Sequence, residues 1–468
     1  MISIDTLPDD ALLVIFDHYT FEFRIRGLGG NQEHEKAWQL LVQVCRRWRS
    51  TVFESPRRLD LRLSCSGRTR ARDRLDIWPT LLLLIQVNFY CSIRSMDNII
   101  AVLERTDSVY YIDFFSVESS DMEIILVAMQ QPFPELTYLR LWSIDETVQV
   151  VPDSFLGGSA PRLERLWLHF IPFPGLPKLL SSTTHLRSLY LGNIPHSGYF
   201  SPDAMVAALS TLTSLNSLTL EFQSPRSFPD PASRRPPPSR RFVLPSFTYF
   251  YFKGVSEYLE DLVACIDAPY LNILHIAFFN NIEFHTPQLM QFICRTPKSK
   301  ALEKAYIFVT KRVAIVSFSS RMRRCGYLRV EIFCTGLDRQ FLSLKQVCTS
   351  CLPPLSILED LYFEGDSHLQ SDSIQNSQWL ELFRLFMAVK NLYLSENFAS
   401  RIAPALQELV EARATDVLPT LQNIFLKGLE SSGSAQESIG QFVAARQVAN
   451  HPIGISPWID PENSEDKV

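Results

Sequence analysis

The chain of 468 residues has no apolar run long enough to cross a bilayer. The stretch from Leu81 to Val87 falls far short of the roughly 20 residues a membrane helix needs. No basic flank precedes an apolar segment at the start, where Met1-Ile2-Ser3-Ile4-Asp5 leads into acids, so no signal peptide is expected. No Asn-x-Ser/Thr sequon occurs, and the nine cysteines are scattered and odd in number. These absences favour free thiols in a reducing cytoplasmic or nuclear setting, with no membrane partner. Basic charge is not in excess: 45 Lys and Arg stand against 50 Asp and Glu, a net charge of −5, and no nucleic-acid partner is expected. What the chain does have is 46% apolar residues and a mean hydropathy of +0.02, which excludes wholesale disorder. That is enough for a sizeable core over two or three domains, or over one long repeat array.

The motifs of common catalytic chemistries are missing as well. There is no Gly-x-Ser-x-Gly elbow, no Gly-x-x-x-x-Gly-Lys phosphate loop and no His-Glu-x-x-His zinc pair. Gly27-Leu28-Gly29-Gly30 lacks the preceding strand that a dinucleotide-binding turn requires. Cys348-x-x-Cys351 stands without the second ligand pair of a structural zinc site. Cys45 and Cys348 fall on apolar helix faces and read as core thiols, and His18, His169 and His275 show no partner spacing. The expectation is a chain with no metal, no cofactor and no catalytic step of its own.

Leu7-Pro8-Asp9-Asp10 opens a helix in a physically sensible order. Proline is tolerated in a first turn, and the two acids sit where the helix dipole favours negative charge. Leu12, Ile15, Phe16 and Tyr19 then form one apolar stripe. A second helix carries Ala37, Leu40, Leu41, Val44, Cys45 and Trp48 on a continuous face, with Arg46, Arg47 and Arg49 off it, and Ser55-Pro56 ends it. So few short helices bury little by themselves and must dock on something.

With Val44-Cys45-Arg46-x-Trp48-Arg49 and Ser55-Pro56-x-x-Leu59 following that opening, residues 1–60 resemble an F-box. The resemblance implies that Leu7, Pro8, Leu12, Ile15, Phe16, Val44, Cys45, Trp48 and Leu59 contact, or support contact with, the Skp-type adaptor of a cullin–RING ubiquitin ligase. The competing expectation is a purely structural helical cap on the domain that follows.

From residue 61 to 450 the pattern apolar-x-x-apolar-x-apolar recurs thirteen times, from Leu82/Ile85/Val87 to Leu421/Ile424/Leu426, at intervals of 23 to 32 residues. Leu302/Ala305/Ile307 and Tyr327/Val330/Ile332 are counted among the copies. In so apolar a chain the pattern arises often by chance, and its context gives it weight. Pro134, Pro161, Pro245, Pro269 and Pro419 each stand two residues before a copy, and helical faces such as Met205/Ala208/Leu209 and Leu289/Phe292/Ile293 lie between copies. Strand, turn, helix and turn in about 28 residues is the leucine-rich-repeat unit, which must stack on its neighbours. The expected fold is α/β: a short N-terminal helical F-box, then an irregular leucine-rich-repeat solenoid with parallel strands inside and helices outside. Fungal F-box proteins with divergent leucine-rich repeats resemble this arrangement. They are substrate-recognition subunits of SCF-type ubiquitin ligases.

If the triplet residues face the core, the residue before the last of them faces the concave side. That column includes Trp167, Tyr190, Tyr251, Tyr306, Tyr362, Tyr393 and Phe425, interspersed with Arg140, Thr219, His275 and Glu331. Two readings stand: cross-strand packing of residues that suit strands, or an exposed surface that recognises a target protein. Outside the repeats, Ser224 to Arg241 carries five arginines against one aspartate among many prolines and reads as an extended basic loop. Residues 451–468 read as a polar C-terminal tail.

Overall fold

The computed structural model describes residues 4–25, 31–65, 75–76, 78, 81–88, 96–224, 241–279, 286–298, 302–320, 326–350, 355–366, 374–409, 416–427 and 433–458. The basic proline-rich segment 225–240, Gly27 to Gly30 and Cys351 therefore lie outside the described residues. The chain divides into two compact units, Met1–Phe200 and Ser201–Val468.

The first unit opens with three helices, α1 (Asp9–Ile25), α2 (Asn31–Val44) and α3 (Arg46–Glu54). Pro8 accepts the first backbone bonds of α1 from Ala11 and Leu12, and Arg47 pairs with Asp9 in its first turn at 2.7 Å. The single helix expected across residues 37–49 is broken in two. Cys45 takes extended backbone angles (φ −155°, ψ 171°) and is the N-cap of α3, its Sγ accepting from the Trp48 N–H at 3.5 Å. Cys45 is thus a half-buried capping residue and not a core thiol. Because the chain turns there, the expected face is split. Ala37 and Leu41 are buried, whereas Leu40 and Val44 point to solvent.

Six parallel strands follow: β1 (Arg62–Cys65), β2 (Leu82–Asn88), β3 (Val109–Val117), β4 (Tyr138–Ser143), β5 (Arg165–His169) and β6 (Ser188–Ile194), each paired with the next. Two apolar rows cross the sheet in register: Cys65, Ile85, Ile112, Leu139, Leu166, Leu189, and Val87, Phe114, Leu141, Leu168, Leu191. All are buried, under the helical connections that include α4 (Met96–Leu103), α5 (Ser119–Ala128) and α6 (Leu176–Leu180). The spacing of the triplet in the sequence is the spacing of these rows.

Strand β1 was not foreseen, and it binds the helices to the sheet. Two of its outward backbone groups are met by side chains of α2. The Ser64 N–H donates to Glu35 Oε2 at 2.8 Å, and the Arg62 carbonyl accepts from Trp38 Nε1 at 3.2 Å, both side chains from α2. Trp38 is fully buried and meets Trp78 edge-on at 5.5 Å. The helices of residues 1–60 lie within the 1–200 unit.

The second unit runs from α7 (Pro202–Leu209), capped by Ser201 at the Ala204 N–H, through β7 (Ser217–Phe222) and β8 (Phe242–Val243) to β9 (Tyr249–Gly254) and α8 (Ser256–Val263). Next come β10 (Ile266–Asp267), β11 (Ile273–Phe279), α9 (Pro287–Arg295), β12 (Lys304–Val309), β13 (Val313–Ser319) and β14 (Tyr327–Phe333). Then follow α10 (Leu337–Ser350), β15 (Asp360–Gly365), α11 (Asn376–Phe383), β16 (Asn391–Leu394), α12 (Glu396–Gln407), β17 (Asn423–Leu426), α13 (Gly433–Val448) and β18 (Gly454–Pro457). The main sheet has the order β7-β9-β11-β14-β13-β12-β15-β16-β17-β18, while β8 and β10 pair only with each other.

The expectation of parallel strands throughout fails at one place. β13 is antiparallel to both β12 and β14, so residues 304–333 form a meander inserted between β11 and β15. The β12–β13 connection is too short for a helix. Thr310 closes it as a turn, its N–H donating to the Val313 carbonyl at 2.9 Å. Gln340 of α10 ties the turn down, donating to the carbonyls of Thr310 at 2.8 Å and Cys334 at 3.0 Å. The register also shifts one copy: Leu274 and Ile276 pair with Leu328 and Val330, so Arg329, not Glu331, stands opposite His275.

The tail expected from residue 451 begins as a strand. Gly454 and Trp458 donate backbone bonds to β17 at 2.8 Å, because Ile424 and Leu426 leave an edge that Ile455 and Pro457 extend. Among the described residues, no helix is long and apolar enough to cross a membrane. Trp38→Ala removes a buried aromatic group and orphans the Arg62 carbonyl. We expect a loss of about 3–5 kcal/mol in the stability of the first unit, read by urea unfolding followed by tryptophan fluorescence.

Candidate functional site

Two surfaces hold the residues singled out by the sequence. On the helices, Leu12, Phe16 and Leu59 are fully buried within the unit, and Leu7, Cys45 and Trp48 are half-buried, with Phe16 against Trp48 at 4.7 Å. These six shape the three-helix core and offer little to a partner. Pro8, Ile15 and Val44 are the exposed members. Ile15 is 44% and Val44 59% exposed, and each has an exposed apolar neighbour one turn away, Tyr19 and Leu40 respectively. Val14 and Phe21 add to the apolar surface of α1. Aliphatic side chains are thus left in water on helices whose opposite sides are packed.

The open sheet face of the second unit carries the tyrosines as a ladder. Tyr306, Tyr362, Tyr393 and Phe425 are cross-strand partners in register. Their rings stack at centroid distances of 4.2, 4.1 and 4.5 Å, with interplanar angles of 11°, 9° and 9°. Stacking at the strand repeat uses up the ring faces, so the ladder presents edges and hydroxyls outward. Tyr306, at its end, is 36% exposed, whereas Tyr362 in its middle is only 9% exposed. Burial, followed by the neighbouring Tyr306 and Tyr393, pushes the Tyr362 phenol well above the usual range, so it remains a neutral hydrogen-bonding group.

A parallel polar ladder runs beside the rings. The Asn391 amide donates to Asp360 at 2.7 Å, and the Asn423 amide donates to Asn391 at 2.8 Å. On the other side Lys427 reaches Glu364 at 3.3 Å and lies over the Trp458 ring at 5.1 Å. Trp458 in turn meets Tyr362 and Tyr393 at 5.7 Å. The ladder's other members were in the expected column. Trp458 was assigned to a tail and was missed.

Tyr251 is apart from the ladder. It meets His275 edge-on at 4.6 Å, and His275 Nε2 lies 3.0 Å from Glu331, which also takes a 2.6 Å contact from Arg329. Burial raises the pKa of Glu331, but the His275 hydrogen bond and charge and the Arg329 guanidinium outweigh it, holding the carboxyl below its usual value. Lys253 and Glu221 pair nearby at 2.6 Å.

In the first unit Trp167 and Tyr190 stack at 4.9 Å, as paired members of the column. Their surroundings escaped the sequence reading. Asp113 is buried and bound by both arms of Arg140 at 2.6 and 2.7 Å, and Trp142 stacks on His169 at 3.9 Å. Gly192 makes room for this cluster, since a Cβ there would lie 2.4 Å from His169 Nδ1 and 2.6 Å from the Tyr190 ring. The available signal was the strand register itself: Asp113 and Arg140 occupy the same column position as Trp167. The open faces thus present aromatic edges and internally paired charges. Buried thiols add no nucleophile: burial pushes Cys65 up to about 12.

No family model matches the chain, and none of the curated proteins matches it. Among solved structures it is similar to the leucine-rich repeat-containing protein LegL7 from Legionella pneumophila, at 13% identity and a TM-score of 0.27, over 82% of this chain and 97% of that one.

Two outcomes are expected. Tyr362→Ala breaks two stacks in a buried position and lowers stability by about 3 kcal/mol, whereas Tyr306→Ala costs about 1 kcal/mol or less, both read by urea unfolding. Glu331, with its pKa depressed in the fold, contributes stability that is present above the ordinary carboxylate range and lost as pH falls through the depressed value. Glu331→Gln should flatten the acid side of a plot of unfolding free energy against pH between about 5 and 3.

Proposed function

We propose that the chain is a non-catalytic, protein-binding scaffold that acts as the substrate-recognition subunit of an SCF-type ubiquitin ligase. In this reading α1 to α3 dock on the Skp-type adaptor, and the open sheet faces hold a target protein. The observation that carries it is the exposure of Ile15 and Val44, with Tyr19 and Leu40 beside them, at positions that the F-box resemblance assigns to the adaptor. Binding both partners raises the effective concentration of a target lysine beside the ubiquitin-charged carrier, and other subunits supply the chemistry. Target contacts fall on the accessible edges of Trp167, Tyr190, Tyr251, Tyr306 and Tyr393, while Tyr362 holds the ladder together from within.

A second reading has its own support. Glu35 and Trp38 cap the backbone of β1, the role of a structural helical cap on a repeat scaffold without a ligase. Capping uses α2 residues other than the exposed Leu40 and Val44, so the two roles are compatible on one helix.

Pull-down with a recombinant Skp-type adaptor separates the readings. The intact chain should retain the adaptor, and Ile15→Asp with Val44→Asp should weaken binding about 100-fold while leaving the melting temperature unchanged. If the intact chain fails to bind, or the double variant binds as well as the parent, the ligase reading falls and the scaffold reading stands.

A further inference from the structure

We propose that the helix-covered side of the first unit carries a separate docking site. It is an apolar groove with a carboxylate, Glu123, in its wall, and it takes a peptide segment whose aliphatic side chains are flanked by lysine or arginine. The groove has a volume of about 600 Å³ and lies between α5 and residues 149–152, lined by Ile124, Val127, Val150 and Pro152, with Glu123 at its wall. That size is in the range of ligand-binding clefts, roughly 300–1,000 Å³. Val127 is 74% exposed, and Ile124, one turn before it, and Val150 are exposed as well. Three aliphatic side chains are thus left in water at one place, where a visiting apolar group gains most.

The walls are fixed before any ligand arrives. The Gln130 side chain donates to the Leu126 carbonyl at 2.8 Å and accepts from the Ser154 hydroxyl. The Leu156 N–H donates to Met129 and the Val151 N–H to Pro172, each at 2.8 Å. Met129 and Gln130, just beyond α5, are thus tied to Leu156 and Ser154, which holds one end of the groove in place.

Charge selects the occupant. From residue 118 to 153 the chain holds seven acids and one base, Arg140, which is bound to Asp113 on the opposite sheet face. Glu135 is paired with Arg162 and Asp153 with Lys178, whereas Glu118, Asp121, Glu123, Asp145 and Glu146 make no ion pair among the described residues. Hydrogen bonds from Ser119 and Thr147 hold the Asp145 carboxyl, beside the first residue of α5, below its usual pKa. An apolar trough with Glu123 in its wall, in a segment with an excess of acids, attracts a basic, aliphatic peptide. The same charge repels nucleic acid and anionic membrane.

The test uses the full chain and a fluorescein-labelled twelve-residue peptide of alternating leucine and lysine, with a leucine–glutamate peptide for comparison, followed by anisotropy. Binding of the lysine peptide should be strong at low salt and weaker in 0.5 M NaCl. Val127→Ser with Val150→Ser should lower its affinity about tenfold or more, with an unchanged melting temperature since both positions are exposed. Glu123→Gln should reduce the salt dependence. Equal binding to the parent and the serine variant, equal binding of the two peptides, or no binding to the parent would overturn the proposal. None of these outcomes touches the adaptor reading, which rests on other residues.

Discussion

A strand at the end of a sheet leaves a row of backbone groups without partners, and the arrangement of the first unit follows from how that row is satisfied. Glu35 and Trp38 supply an acceptor and a donor to β1, and the indole fills the space between helices and sheet. This fixes α2, and α1 and α3, which both pack on α2, are joined to each other by Arg47 and Asp9. The exposed side chains Ile15 and Val44 are therefore carried on helices anchored to a sheet, which removes the ordering cost that a loose helical pair would meet on binding. The opposite edge in the second unit is managed differently. Gly454 and Trp458 face β17, so Pro457 faces outward, where its missing N–H withholds a donor from the open edge.

Within each unit the open face has a consistent chemistry. Asp113 with Arg140, Glu331 with Arg329 and His275, and Lys427 with Glu364 neutralise one another along the sheet. Aromatic rings stack along the strand repeat beside them, and tyrosine hydroxyls and amides remain as directional groups.

Much of this was legible in the sequence because the repeating unit is short and its constraint is periodic. The triplet spacing located the buried rows, and the column before the last triplet residue contained Tyr306, Tyr362, Tyr393 and Phe425 in true register. Errors arose where a non-periodic feature prevailed. The break at Cys45 is a capping geometry that a continuous apolar stripe conceals. β1 falls outside the triplet pattern, since a four-residue strand has no room for the six-residue repeat, although Leu59, Leu61, Leu63 and Cys65 alternate cleanly. The β12–β14 meander was counted as ordinary repeats, though Val309 and Val313 stand too close for any helix between them. Trp458 was read as tail because its partners, Lys427 and the tyrosine ladder, are distant in sequence. Burial separated the nine adaptor candidates into an inner and an outer set, a distinction that the side-chain types alone do not carry.

The anchoring of the N-terminal helices to the sheet is the claim on which the rest depends, and the backbone amide of Ser64 reports on it. Amide hydrogen exchange in the full chain, with and without Glu35→Ala, measures the contribution of that one acceptor. The account predicts that exchange at Ser64 and along β1 accelerates about tenfold or more, while β4 to β6 keep their protection. Unchanged protection at β1 would mean that the helices rest against the sheet without closing its edge, contradicting the account.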